Sequence, residues 1–342
     1  MDITKTLLEF SAVNGVSGRE SAAVDYAAAL LRPHGDTRVT TLGSLVCTAR
    51  PGPPGAPHLL LDAHLDEIGM IVTFIEEKGF LRVAPCGGID RRLLLASTVT
   101  VHAAGRDMPG VICSVPPHLA GDADKKNKKV EEIHIDIGLD AEKAKEAVKP
   151  GDLVTINAHS RVLLNGLVSG KALDDRAGCV ALCRALELLE GAELGCGLTV
   201  LLSSMEETGG GGAKTAAYEI APTHAIAVDV GFGHTPDAPK EKCGELRKGP
   251  MIGFAPILSR AVSQELRTLA TARSIPWQPD VMGGSTGTNA DHIAVARGGV
   301  ATGLLSIPQK YMHTPIETVA PEDVENTAQL LCAYAKKLGG IG

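Results

Sequence analysis

Acidic and histidine side chains recur where apolar runs of this 342-residue chain end. The run LLLDA leads to His64 and Asp66, and the run GLTVLL leads to the adjacent Glu206 and Glu207. Three more positions of this kind are Asp174, at the start of a predicted helix, and Asp229 and His313, which follow later apolar runs. In open α/β sheets, ligands bind beyond the carboxyl ends of the strands. We therefore expect these side chains to meet at one site.

The residue types indicate what such a site would bind. Histidines and carboxylates without cysteine ligands favour zinc, cobalt or manganese over a structural thiolate site. A pair of ions needs one bridging carboxylate and, for each ion, a further carboxylate and an imidazole. The residues that can supply this set are His64, Asp174, Glu207, Asp229 and His313. Glu206 is left over, and it could accept a proton from a water that the ions activate.

Each residue taken alone also has a structural explanation. His64 could be a buried, hydrogen-bonded histidine whose ring is oriented by Asp66. Asp174 is placed to cap a helix, and Asp229 is a residue type common in turns. Glu207 could be a solvated loop acid. The ordered set, and no single member of it, therefore indicates chemistry.

Several other functions are disfavoured by the sequence. In TGGGGAK, Thr208 and Ala213 stand where a phosphate loop requires glycine, and Pro236 ends GFGHTP where GxGxxG requires glycine. A net charge of -7 without a long basic run argues against nucleic acid as a partner. Aromatic residues make up 3% of the chain, which leaves few rings to build a carbohydrate groove.

The elements that must position the site follow from the hydrophobic pattern. Residues 70–163 read as short β-branched strands separated by Gly and Pro turns, whereas the flanking regions alternate helices with strands. The predicted helices include 174–190, 256–273 and 321–338, and a capping box at Ser17 and Glu20 predicts another. We predict an α/β fold with a mixed sheet and helices on both faces, built from residues 1–69 and 164–342. Residues 70–163 would form an inserted all-β, barrel-like domain.

The cysteines and the lengths of the apolar runs indicate the cellular compartment of the protein. The eight cysteines include no CxxC pair, and the helical spacing of Cys179 and Cys183 predicts two buried thiols. No stretch reaches the roughly 18 apolar residues of a membrane span, and the first residues lack a leader pattern. We predict a cytoplasmic protein with no membrane partner.

The motifs together resemble a known family. The chain is similar to the glutamyl and deblocking aminopeptidases, dinuclear metallo-aminopeptidases that form tetrahedral complexes and of which some members are labelled endoglucanases. The resemblance covers nearly the whole chain and is carried, in order, by LDAHLDEIGMIV, GVICSVPPHL, GKALDDRAG, MEETGGGGA, AIAVDV and ARGGVATGLLSIPQKYMHTPIETV. The chain departs from the family in GGSTGTNADHI (283–293) and in the GGGG that follows the paired glutamates.

The resemblance implies a role for each candidate residue. Asp174 would bridge two metal ions, His64 and Asp229 would complete one site, and Glu207 and His313 would complete the other. Glu206 would be the general base, and Asp66 would orient His64. The inserted β domain would mediate dimer contacts, and dimers would assemble into a dodecamer.

The predicted function is the removal of N-terminal residues from short peptides with two divalent ions per subunit, zinc or cobalt first and manganese next. Two alternatives stay open. A glycoside hydrolase would use two carboxylates and no metal, and an inactive metal-binding subunit would retain the ligands without turnover.

Overall fold

Two separate β structures are present in the computed structural model, which describes residues 1–116, 118–121 and 127–340. One is a large mixed sheet of eleven strands, and the other is a closed barrel. The α-helices among the described residues are α1 (Ile3–Ala12), α2 (Ser21–Leu31), α3 (Ala141–Ala147), α4 (Leu173–Leu188), α5 (Gly211–Ile220), α6 (Arg260–Ala272), α7 (Asn289–Ala294) and α8 (Pro321–Leu338).

The strands among the same residues are β1 (Asp36–Val39), β2 (Leu45–Arg50), β3 (His58–His64), β4 (Gly69–Ile75), β5 (Leu81–Cys86), β6 (Thr98–Ala103), β7 (Arg106–Ile112), β8 (Ile135–Asp136), β9 (Leu153–Ile156), β10 (Arg161–Val162), β11 (Val168–Gly170), β12 (Gly197–Ser203), β13 (His224–Phe232), β14 (Met251–Phe254), β15 (Gln278–Val281), β16 (Ala301–Lys310) and β17 (Glu317–Val319).

The centre of the large sheet is parallel. The strand order is β1-β2-β12-β3-β13-β16-β17-β11-β10, and β14 pairs with β16 and carries β15 on its other side. Strand β3 is parallel to both β12 and β13, and β13 is parallel to β16. The carboxyl ends of these four strands therefore lie at one edge, where the sequence predicts the site.

Helices cover both faces of this sheet. Residues of β3 alternate between its faces, so Leu59 and Leu61 join one buried apolar cluster while Leu60 joins another. The first cluster contains the apolar sides of α1, α2, α4, α6 and α8, and the second contains those of α5 and α7. The predicted α/β fold with a mixed sheet and helices on both faces is confirmed.

The barrel has a core of its own. Its strands follow the order β4-β5-β8-β7-β6-β9, and its interior is filled by short branched side chains such as Val83, Val101 and Val154. These strands run from Gly69 to Ile156, and β10, which comes next, pairs with β11 in the large sheet. The predicted all-β, barrel-like unit is therefore present; the division of the chain at residues 70 and 163 stays a prediction.

The predictions for individual helices agree with the structure in some places and differ from it in others. Helix α8 has the predicted bounds, and Cys179 and Cys183 are buried on α4. Helix α6 begins at Arg260, later than predicted, because the Ser259 side chain accepts from the Val262 N–H and caps it there. The capping-box prediction is wrong: α2 has no side-chain cap, and the hydroxyl of Ser17 is engaged elsewhere. Over the described ranges, no helix is both long and apolar enough to cross a membrane.

Candidate metal centre

The parallel strands deliver the candidate residues to one edge of the large sheet. His64 is the last residue of β3, and Glu206 and Glu207 lie in the turn that follows β12. Asp229 lies within β13, and His313 follows the end of β16. Asp174 reaches the same edge from the first turn of α4, which packs against β3 and β13.

The carboxylate of Asp174 lies between the two histidines. Its Oδ1 is 3.0 Å from Nε2 of His64, and its Oδ2 is 3.4 Å from Nε2 of His313. Asp229 Oδ1 lies 3.9 Å from the same nitrogen of His64, and Glu207 Oε1 lies 3.5 Å from that of His313. The arrangement has two halves that share Asp174, with one histidine and one further carboxylate in each.

One subset of these residues is compact enough to be a candidate metal site. Ligand atoms of His64, Asp174 and Glu207 all lie within 4.8 Å of one another. Among the residues the structure describes, no other group of three histidine, cysteine or acidic side chains brings its ligand atoms this close together. Imidazole nitrogens and carboxylate oxygens in this number are ordinary ligands for zinc and related divalent ions.

A buried aspartate organises the loops around the cluster. Nδ1 of His64 lies 3.1 Å from the backbone oxygen of Asp66 and 3.5 Å from its Oδ1. The Asp66 carboxylate also accepts hydrogen bonds from the backbone N–H of Glu206 at 2.9 Å, from that of Glu207 at 3.1 Å, and from the hydroxyl of Ser17 at 2.7 Å. Asp66 thus fixes the imidazole and the turn carrying both glutamates at once.

A second buried acid, Glu317, joins the two segments that carry Asp174 and His313. Oε2 of Glu317 accepts the backbone N–H of Asp174 at 3.1 Å, and Oε1 accepts that of His313 at 2.9 Å. Glu317 begins β17 and is buried. One carboxylate therefore ties the start of α4 to the loop after β16.

The backbone at two of these turns is left-handed. Met205, which precedes Glu206, has φ of 56°, and His313 has φ of 60°. A side chain at positive φ costs about 1–3 kcal/mol and persists where the surroundings hold it. Asp66 accepts the backbone N–H of Glu206, the residue after Met205, and Glu317 accepts the backbone N–H of His313 itself. These hydrogen bonds hold the two turns in their left-handed conformation.

The charges in the cluster are unbalanced. Burial raises the pKa of Glu207 to about 8, and burial likewise raises the pKa of Glu206 and Asp229 above their usual range. Burial alone would lower the pKa of His313, but the hydrogen bond to Asp174 and the nearby charge of Glu207 raise it to about 9. Acids that resist ionisation beside histidines that retain protons indicate an excess of negative charge. Divalent cations would relieve it, so the donor set fits them.

The cluster lies in a cleft of about 450 Å³. Asp174, Glu206, Glu207, Asp229 and His313 all line it, while His64 stays buried behind them. Apolar side chains from β13, β14 and β16 line the adjoining wall, namely Val230, Met251 and Leu304. The cleft thus places an acidic cluster beside an apolar wall.

Three residues around the site were not predicted from the sequence. Glu317 lies within the quoted HTPIETV motif, yet nothing in its spacing shows that it joins Asp174 to His313. Ser17 was assigned to a helix cap, and its contact with Asp66 spans 49 positions along the chain. Asp280 lies on β15, a strand that the pattern of residues did not predict.

The fold and the cluster define an α/β protein with a candidate centre for divalent cations, and comparison with known proteins narrows this class. The family model of the M42 glutamyl aminopeptidases matches residues 43–330. A lysyl aminopeptidase of Pyrococcus furiosus is 30% identical over 330 residues, which cover 95% of this chain and 94% of the relative.

Solved structures agree with the sequence match. An aminopeptidase of the archaeon Desulfurococcus kamchatkensis superposes with a TM-score of 0.91 at 33% identity, over 98% of this chain and 94% of its own. The TET1 peptidase of Pyrococcus horikoshii, which can assemble into a tetrahedron or a large octahedral shell, has a TM-score of 0.87 at 33% identity, over 98% and 99% of the two chains.

The chain belongs to the M42 glutamyl aminopeptidase family. It is accordingly a peptidase of the aminopeptidase class, and the resemblance to this family drawn from its motifs is confirmed.

Proposed function

We propose that this protein is a dinuclear metallo-aminopeptidase that removes the N-terminal residue from short peptides, with Glu206 as the general base. The observation that carries the proposal is the meeting of His313 and four acids in one cleft, with His64 buried directly behind them and Asp174 shared between the two halves. Family membership supports the reaction class.

His64, Asp174 and Asp229 would hold one ion, and Asp174, Glu207 and His313 would hold the other. Zinc or cobalt is our first expectation and manganese the next, because the donors are imidazoles and carboxylates only. When bound, such ions lower the pKa of a water molecule and polarise the scissile carbonyl. The remaining chemistry belongs to side chains of this protein.

Glu206 is suited to proton transfer. It lines the cleft, its backbone N–H is fixed by Asp66, and its partly buried carboxylate has a pKa raised by burial. A carboxylate with a raised pKa takes a proton more readily from water near neutral pH, and it can return that proton to the departing amine. The free α-amine of a peptide would bind at the metal centre, which favours cleavage at the N-terminus.

A substrate panel with metal control tests this function. Protein stripped with EDTA and reloaded with zinc, cobalt or manganese would be assayed on p-nitroanilides of leucine, lysine, alanine and glutamate. We expect hydrolysis that disappears with EDTA and returns with metal. Hydrolysis of carboxymethylcellulose that persists in EDTA would instead support the glycoside hydrolase. Tight metal binding without turnover of any substrate would support an inactive metal-binding subunit.

Self-association is a second part of the proposal. The TET1 relative assembles into a tetrahedron or an octahedral shell, and here the barrel exposes 60% of Phe74 and 47% of Val111. We expect dimers formed through the inserted β domain, and a tetrahedral dodecamer built from them.

Light scattering after size exclusion would measure the assembled mass. Phe74→Asp should yield smaller species, because a charge in an apolar interface is costly. Leu164→Asp, at a residue that is 96% exposed and lies outside the barrel, is the matched control and should leave the mass unchanged. A wild-type monomer would contradict the proposal.

A further inference from the structure

One acid of the cleft lies outside the candidate metal centre. Asp280 lines the cleft from β15, the strand beyond β14 at one side of the large sheet. Residues along this strand alternate, so Pro279 and Val281 are exposed while Asp280 is half-buried on the opposite face. Val281 is 78% exposed on the outer face of the strand, whereas Asp280 lines the cleft on the other face.

Asp280 is held close to the candidate centre. Asp229 is in register with Ser306 on the neighbouring strand, and the hydroxyl of Ser306 donates to Oδ2 of Asp280 at 3.4 Å. Ser306 is thus about one strand spacing, roughly 5 Å, from the backbone of a candidate metal ligand. The side chain of a substrate residue bound at the centre could span that separation if it carried a stem of about four carbons.

The cleft that holds the two acids is lined by apolar and polar side chains. Met251, Met282 and Leu304 supply apolar surface, and Thr286 and Thr288 lie among them. Gly231 keeps it open, because a Cβ there would lie 2.9 Å from the Cβ of Ser306 and 3.0 Å from the sulfur of Met251. The cleft therefore presents aliphatic surface as well as a carboxylate.

Asp280 lacks an ion-pair partner among the described residues, and Ser306 is its one hydrogen-bond partner there. Burial raises its pKa above the usual range, and the Ser306 hydroxyl only partly offsets this. A half-buried carboxylate with a single neutral partner is favourably placed to receive a cation.

We propose that Asp280 is a specificity-determining residue that selects peptides with a basic first residue, lysine or arginine. The aliphatic stem would lie against Met251, Met282 and Leu304, and the terminal cation would pair with Asp280. This inference rests on the proposed aminopeptidase function and assigns the class of residue removed.

The rival reading is a preference for acidic residues set by Lys242, which also lines the cleft. Lys242 ends a short 3₁₀ helix and is exposed, whereas Asp280 is half-buried on a strand and anchored by Ser306. Exposed charges are screened by water and contribute little, while desolvated pairs discriminate strongly. The geometry therefore favours Asp280 over Lys242.

The test compares substrates that differ only in the cation. Lysine and norleucine share a four-carbon stem, so the ratio of kcat/KM for their p-nitroanilides isolates the ammonium. We expect this ratio to exceed one in the wild type and to fall at least about tenfold in Asp280→Asn, as for loss of a desolvated partner. Glu241→Gln, an exposed acid that does not line the cleft, should keep the wild-type ratio.

Three outcomes would overturn the assignment. They are a wild type that prefers norleucine or glutamate to lysine, an Asp280→Asn variant that loses both activities equally, and a Lys242→Met variant that changes the ratio while Asp280→Asn does not. Thermal unfolding would establish that the variants fold.

Complete lack of hydrolysis by the metal-loaded wild type would count against the proposed function alone. Calorimetric binding of lysinamide and norleucinamide to the same protein would then decide the role of Asp280. Tighter binding of lysinamide that Asp280→Asn abolishes supports the assignment, and equal binding of the two amides contradicts it.

Discussion

Single residues in this cleft gain distinct roles from the contacts of their backbone as well as their side chains. Glu206 and Glu207 are adjacent and acidic, yet Glu207 lies 3.5 Å from His313, while Glu206 forms no ion pair with a histidine within the part of the chain that the structure describes. Both residues donate a backbone N–H to the Asp66 carboxylate, so Asp66 fixes the backbone of the turn and the two side chains are free to serve different purposes. Their difference follows from position, since their chemistry is the same.

Glu317 is a positioning residue whose loss should weaken metal binding. In Glu317→Gln the amide NH₂ would face the backbone N–H of either Asp174 or His313. That hydrogen bond would be lost, and the segment that carries the residue would no longer be fixed. We expect metal affinity to fall about 10- to 100-fold, as for other residues that orient ligands. Activity measured against rising metal concentration should show the midpoint shift, with much of the maximum recovered at high metal.

The matched control for Glu317→Gln is Glu190→Gln, at an exposed glutamate near the end of α4. It removes the same charge and should leave the metal midpoint unchanged. A Glu317→Gln variant with lower activity but an unchanged metal midpoint would contradict the positioning role.

At the level of helices and strands, the turn between β12 and α5 matters most, because it carries both glutamates. Gly209 and Gly210 have φ of 115° and 67°, which glycine adopts at little cost. Gly212 lies at the start of α5 against the end of β12, where no side chain fits. The GGGG stretch thus allows α5 to approach the strand closely.

Gly212→Ala should displace α5 and disturb the turn. Its Cβ would lie 2.3 Å from the backbone oxygen of Ser204 and 2.5 Å from the hydroxyl oxygen of Ser44, so the backbone must move. We expect a loss of about 1–3 kcal/mol of unfolding free energy, typical of overpacking, together with reduced peptidase activity. Thermal unfolding and kcat/KM would measure the two effects.

Gly211→Ala is the neighbouring control. Its Cβ would meet nothing closer than 3.7 Å, at Cδ1 of Leu42, and alanine favours helix over glycine by up to about 1 kcal/mol. Stability equal to or above that of the wild type is the expected result. Equal behaviour of the two alanine variants would show that close approach of α5 is unimportant.

The sequence predicts those elements whose signals are local. Helix α8 was predicted with its observed bounds because Pro321 starts it and its apolar spacing is regular. Strand β14 and the edge strand β15 were not predicted, since each has four residues and β15 contains Pro279.

The same distinction applies within the candidate site. The candidate ligands were recognised because parallel strands end at a common edge, which a pattern of runs reveals. The partners Ser17, Glu317 and Asp280 were missed because their contacts join segments distant along the chain. Tertiary packing decides which of these segments come together in space, and the spacing of residues along the chain does not reveal it.

Considered as a whole molecule, the protein should depend on its metal ions for stability. Without cations, the cleft buries carboxylates such as Glu207 and Asp229 whose pKa is raised by burial, and the cost of ionising them there opposes folding. An ion present at 100 times its dissociation constant adds about 3 kcal/mol to the unfolding free energy.

EDTA-treated protein should therefore unfold at a temperature several degrees lower than metal-loaded protein, as measured by scanning calorimetry. Added zinc, cobalt or manganese should restore the transition, and magnesium, which prefers oxygen ligands, should restore less of it. A midpoint unaffected by chelation and by metal would contradict the assignment of the cleft as a metal centre.

The most direct test of the central claim is Glu206→Gln, measured for turnover and metal content on the same preparation. Because Glu206 is proposed to transfer the proton and not to hold metal, kcat should fall about 10²- to 10⁴-fold while the metal content per chain, by plasma mass spectrometry, equals that of the wild type. Turnover near the wild-type level, or loss of metal along with activity, would contradict the account.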